Sequence, residues 1–184
     1  TADALKNQDL VATKDGLAKT RVKVVELSKE YAKVKPLSYI PFLGAYINDG
    51  SHVVNAGLAA LDAADRAIEA LEPNADLLGF TGGSKFVQGS ADQRIQVAVK
   101  TMSALTPKIN EMAVAVDTMR KELDQIDPNR YPTKVGKTVV REKLVAGKEV
   151  IDNAANLFVN AQPLLKSLPS MLGEPDTKRY LLLF

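Results

Sequence analysis

At 184 residues, 46% hydrophobic and 25% charged, the chain has enough apolar material for one domain with a good-sized core, which excludes disorder as its default state. A net charge of +2 is too small to demand nucleic acid or an anionic membrane as partner. With no Cys and a single His, disulfides, thiol catalysis, thiolate metal sites and paired-imidazole metal centres are all excluded.

Heptad spacing predicts four long helices. The first spans about 2–34, with Leu10, Leu17, Val24 and Tyr31 seven apart and Leu27 and Val34 on the adjoining row. Lys35-Pro36 should end it, because a residue before proline avoids the α region. A connector, Leu37 to Gly44, turns the chain. The second helix spans about 46–71 on Ile47, Val54, Leu61 and Ile68, with Gly57, Ala64 and Leu71 beside them. Its start has two readings, since Asn48-Asp49-Gly50-Ser51 also suits a turn with Ser51 as N-cap.

A connection rich in Gly, residues 72–90, follows. Ser90 and Gln93 then have the spacing of a capping box. They open a third helix, about 91–126, with Ile95, Met102, Ile109, Val116 and Leu123 on one row. Ala98, Leu105, Met112, Met119 and Ile126 form the other, and Pro107 should bend the helix. The methionines on these rows read as packing. Asp127-Pro128-Asn129-Arg130-Tyr131-Pro132 makes a proline-bounded turn into the fourth helix, about 134–167. Its rows are Leu144, Ile151, Phe158 and Leu165 with Gly147, Ala154, Ala161 and Leu168, and Pro163 lies near its end. Helices of this length would be roughly 40–50 Å long. The expected fold is all-α, an elongated antiparallel four-helix bundle, with narrow apolar rows that leave little room for an enclosed ligand.

The segment Leu168 to Gly173 reads as an elbow, and Tyr180-Leu181-Leu182-Leu183-Phe184 as the opening of a buried β-strand without partners in the chain. The expected organisation is therefore a helical domain, 1–167, and a junction, 168–184, that starts a second, missing domain. Thr1 in place of Met points to a removed upstream segment.

No catalytic constellation stands out. Gly79 to Phe86 departs from a phosphate-binding loop at two positions, with Ser84 where a glycine and Phe86 where a hydroxyl belongs. Its length still makes this loop a partner-contact candidate through Phe80, Lys85 and Phe86, the phenylalanines more naturally anchoring it to the helices. His52 near Asp49 lacks the further ligands a metal needs and reads as a surface or capping residue. Asp62, Asp65 and Glu69 share one side of a helix, broken by Arg66, and read as a solvated face. Lys134, Lys137 and Arg141, with Lys148, form a basic stripe on the fourth helix that reads chiefly as a solubilising face, with contact to an anionic envelope polymer as the alternative. No aromatic residues interleave it as a nucleic-acid surface would require. No cofactor is expected.

Tyr39-Ile40-Pro41-Phe42-Leu43-Gly44 after a long first helix, with Leu168-Pro169-x-x-Leu172-Gly173 and the closing Tyr180-Leu181-Leu182-Leu183-Phe184, resembles the N-terminal half of a bacterial family, domain of unknown function four-zero-one-two. The resemblance spans essentially the whole chain, including the Asp-Pro-Asn-Arg-Tyr-Pro turn. It implies a transmembrane helix just upstream of Thr1 and an extracytoplasmic location. It also implies a C-terminal domain that begins Gln-Asn-x-x-Glu-x-Arg beyond Phe184. That family offers no catalytic residue to carry over. The expected function is a non-enzymatic spacer and interaction module of a membrane-anchored envelope protein, which presents that domain or contacts another envelope protein. A ligand-sensing bundle coupled to the membrane helix is the alternative.

Overall fold

The computed structural model describes residues 2–75, 80, 90–174, 176, 178 and 179. Over these residues the protein is all-α apart from one two-stranded hairpin, with helices α1 (Ala2–Lys6), α2 (Leu10–Val34), α3 (Gly44–Leu71), α4 (Ala91–Asp124) and α5 (Arg141–Met171). It divides into two compact units. The first comprises Thr1–Leu17, Ala64–Met112 and Asn160–Phe184, and the second Ala18–Ala63 and Ala113–Val159.

The apolar row of α3 is the clearest link from sequence to packing. Ile47, Val54, Leu61 and Ile68 are all buried, each at 6–7% exposure. Burial of such side chains is worth about 1.5–3 kcal/mol apiece. In the second unit, Arg21 of α2 pairs with Asp62 of α3, while Tyr31 donates to the Ile47 carbonyl, so the two helices run antiparallel. Arg120 of α4 meets Asp152 of α5, and Lys148 of α5 reaches back to the Leu123 and Ile126 carbonyls, again antiparallel. Lysine there satisfies acceptors that a helix C-terminus leaves open.

Several expected boundaries change. The first helix is two: Gln8 takes φ +55°, and Asp9 caps α2 by accepting from Ala12 N at 2.8 Å. That cap satisfies one of the N–H donors that a continuous helix would not expose. The adjoining row of α2 is also displaced, because Leu27 (52% exposed) and Val34 (37%) face out while Arg21 and Ser28 are partly covered. The capping box at Ser90 and Gln93 forms as expected, with both reciprocal bonds. The side chains of Ala98 and Leu105 lie outside the described residues, and Ile95 is exposed.

The fourth predicted helix begins seven residues late. Residues β1 (Lys134–Val135) and β2 (Thr138–Val139) form a hairpin, with Lys134 opposite Val139 and Val135 opposite Thr138. Gly136 carries φ +59°, the sign demanded of the first central residue of a II′ turn, and the flanking β-branched residues favour extended backbone. On α5 the small-residue seam runs through Ala155, 2% exposed, whereas Gly147 and Ala154 are exposed. The helix also continues past Pro169 to Met171. It closes where Gly173 adopts φ +89° and Glu174 N bonds the Pro169 carbonyl. The elbow is thus shorter than expected. The strand expected at Tyr180–Phe184 lies outside the described residues.

Candidate functional site

The start of α3 resolves the ambiguity at Asn48-Asp49-Gly50-Ser51 in favour of helix, and Gly50 explains it. A Cβ there would lie 1.9 Å from the Tyr31 hydroxyl oxygen, so only glycine lets Tyr31 reach the Ile47 carbonyl, at 2.9 Å. Helical geometry then turns Asp49 inward. It is 1% exposed and holds two partners, Nη1 of Arg130 at 2.8 Å and the Tyr131 hydroxyl at 3.1 Å. Both come from the Asp127–Pro132 turn, whose first peptide is fixed by Asp127 accepting from Asn129 N.

That turn is clamped on every side. The Tyr46 hydroxyl donates to the Arg130 carbonyl at 2.7 Å, and the Tyr46 and Tyr131 rings meet edge to face with centroids 5.2 Å apart. Arg141, at the first position of α5, donates from Nε and Nη2 to the Tyr131 carbonyl. Burial first, then the charge of Asp49 and the bond to it, push the Tyr131 hydroxyl up to about 12. The phenol therefore remains a donor through the neutral range.

Beside this network lies an open cleft of about 490 Å³ that includes Asp49, His52, Gln125 and Arg130. His52 Nδ1 bonds the Glu122 carboxylate at 2.6 Å, so the ring nitrogen carries its proton on that side. The other wall is the α2–α3 connector. Here Phe42 has φ +70° and is 96% exposed, and Tyr39 is 90% exposed. A bulky residue in the left-handed region costs on the order of 1–3 kcal/mol, and the solvated ring returns no packing energy. Gly44 permits the bend, since a Cβ would come 1.9 Å from the Ser38 carbonyl oxygen.

The residues singled out in the sequence do not converge. Lys134 and Lys137 sit at the hairpin, Arg141 is turned onto the Tyr131 carbonyl, and Lys148 caps α4, so the expected basic stripe is broken up. Lys85 and Phe86 lie outside the described residues. Phe80 is described. Its carbonyl accepts from Leu10 N at 3.0 Å, and it lines an apolar cavity of about 220 Å³ in the first unit with Leu10, Leu17 and Ile68. It anchors as expected. His52 is no cap but half of a hydrogen-bonded contact between α3 and α4, and Asp62 and Glu69 pair with Arg21 and Lys108.

Asp49, Arg130 and Tyr131 were the residues that heptad counting passed over. One pattern would have found the first. Ala56 and Ala70, each 4% exposed, lie on a row of small residues with Ala63, and one heptad earlier that row lands on Asp49. Among the described residues no group of three His, Asp or Glu is placed to hold a metal, and no helix is long and apolar enough to cross a membrane. No family model matches the chain, and neither does any curated protein or solved structure.

Proposed function

We propose that the chain is a non-enzymatic helical scaffold, an antiparallel four-helix bundle formed by α2, α3, α4 and α5. In this reading it serves as a spacer and interaction module outside the cytoplasmic membrane. The supporting observation is where its ionisable side chains are spent. His52, Asp62, Glu69, Arg120, Arg130, Arg141 and Lys148 each bond a neighbouring element, and Asp49 is sealed between Arg130 and Tyr131. Groups committed in this way fix helix register and leave little freedom for proton transfer. The resemblance to the family of domain of unknown function four-zero-one-two adds an upstream membrane helix and a downstream domain that the bundle would present.

The full-length gene product tests this directly. It should encode a membrane helix before Thr1 and a Gln-Asn-x-x-Glu-x-Arg segment after Phe184, and protease added outside intact cells with a permeable envelope should reach the bundle. A cytoplasmic, protected bundle would sink the location. Hydrolytic turnover abolished by His52→Gln or Asp62→Asn would sink the scaffold. A second reading, a ligand-sensing bundle, is favoured by the apolar cavity beneath Phe80. It predicts a higher unfolding temperature in the presence of small hydrocarbons such as benzene.

A further inference from the structure

The α2–α3 connector combines three properties that folding alone does not require. Phe42 is held at φ +70° and is 96% exposed, Tyr39 beside it is 90% exposed, and both line the same cleft of about 490 Å³. The connector is nonetheless well fixed: Ile40 N bonds the Leu37 carbonyl, and Leu43 N and Gly44 N both bond the Ile40 carbonyl. Two aromatic faces are thus presented to solvent by a tight turn, at a conformational cost and with no packing return.

The same cleft is also lined by polar groups with unused capacity. Arg130 spends Nη1 on Asp49, and its Nε and Nη2 have no partner among the described residues. His52 spends Nδ1 on Glu122, which leaves Nε2. Asn48 and Gln125 line the cleft, and their side-chain amides have no bonded partner among the described residues. The charge of Arg130 is already matched by Asp49, so the cleft offers donors and acceptors without a surplus of positive charge. An anion gains little there, and the polar floor is unlike the apolar centre of a protein interface.

From this pairing we propose that the cleft binds a short neutral saccharide. Its hydroxyls would satisfy Arg130, Asn48 and Gln125, and the positively polarised C–H face of a sugar ring would lie on Tyr39 or Phe42, whose rings carry negative faces. The volume lies within the ~300–1,000 Å³ typical of small-ligand sites. This assignment stands on the second unit alone and does not depend on the envelope reading.

The test is saturation-transfer NMR on the full chain with cellobiose, maltose and N,N′-diacetylchitobiose. At least one should receive saturation at its ring C–H protons, with affinity reduced more than tenfold by Tyr39→Ala, by Phe42→Asn or by each of them. Asparagine tolerates the left-handed region, so Phe42→Asn should leave the unfolding temperature unchanged or raised. Silence from all three sugars overturns the proposal. So does binding indifferent to both variants, or a fall in unfolding temperature with Phe42→Asn, which would make the ring a packing group. Displacement of the sugar by inorganic phosphate would assign the cleft to anions. A dimer in sedimentation that Phe42→Asn dissociates would assign it to a second copy. Either result also overturns it.

Discussion

In the second unit a buried carboxylate anchors the turn that follows α4, whereas among the described residues of the first unit no charged side chain is buried and the interior is apolar but for Thr13 and Thr101. Asp49 is 1% exposed and bonded twice. Ion pairs in the first unit, Lys14 with Glu72 and the group of Arg66, Glu69, Lys108 and Glu111, are mostly 29–52% exposed. Surface pairs of that kind contribute little and weaken with salt, whereas a buried pair is costly to break. The two units should therefore respond to different perturbations.

The largest effect should come from Arg130→Ala. It leaves the Asp49 carboxylate buried with only the Tyr131 hydroxyl, and a loss of about 3–5 kcal/mol is expected by urea unfolding. Asp49→Ala should cost less, about 1–3 kcal/mol, because the surviving guanidinium is already 41% exposed and can be hydrated. Equal costs would mean that Asp49 is not the group that depends on the pair.

Next comes a gain in the first unit. Thr101 is 2% exposed, and its hydroxyl has no hydrogen-bond partner among the described residues. Thr101→Val, nearly the same shape without the hydroxyl, should stabilise the chain by about 1 kcal/mol. A loss of stability would show that this interior is polar too, and would erase the contrast between the units.

These two sites also show where the sequence was legible. The row Ile47, Val54, Leu61, Ile68 was read correctly because hydrophobic burial has a period and each residue reports it independently. The capping box at Ser90 was read because its two partners are three residues apart. Asp49 and Arg130 were not, since their bond joins positions 81 apart and a carboxylate in a helical pattern normally marks the wet face. Likewise, helical spacing alone put Lys134 and Lys137 on α5, and a single glycine with φ +59° places them at a hairpin instead. Nor does spacing reveal the cleft, because Tyr39 and Phe42 matter through exposure and backbone strain, which only the folded chain displays.

A pH titration sharpens the comparison from the alkaline side. Tyr131 is raised from 10.0 to about 12, so between those values the unfolded chain has lost a proton that the folded chain keeps. Its stabilising contribution is full below pH 10 and disappears as pH rises through about 12. Tyr131→Phe should flatten this part of the stability profile, measured by urea midpoints from pH 9 upward. An unchanged alkaline slope would place the titrating group elsewhere.

The smallest effect belongs to the acid side and to the first unit. Hydrogen bonds from Lys108 and then Arg66 hold the Glu69 carboxyl below its ordinary value of 4.5. The folded chain thus releases this proton more readily than the unfolded one. The contribution is present above pH 4.5 and is lost as pH falls through the lowered value. Since Glu69 and Arg66 are nearly half exposed, solvent screening should keep the effect slight. Glu69→Gln should differ from the parent above pH 4.5 and converge with it as the pH falls through the lowered value, and 1 M salt should remove that difference. If the difference survived high salt, Glu69 would be acting as Asp49 does. The surface charges of the first unit would then be part of its cohesion, and the division between a polar and an apolar interior would fail.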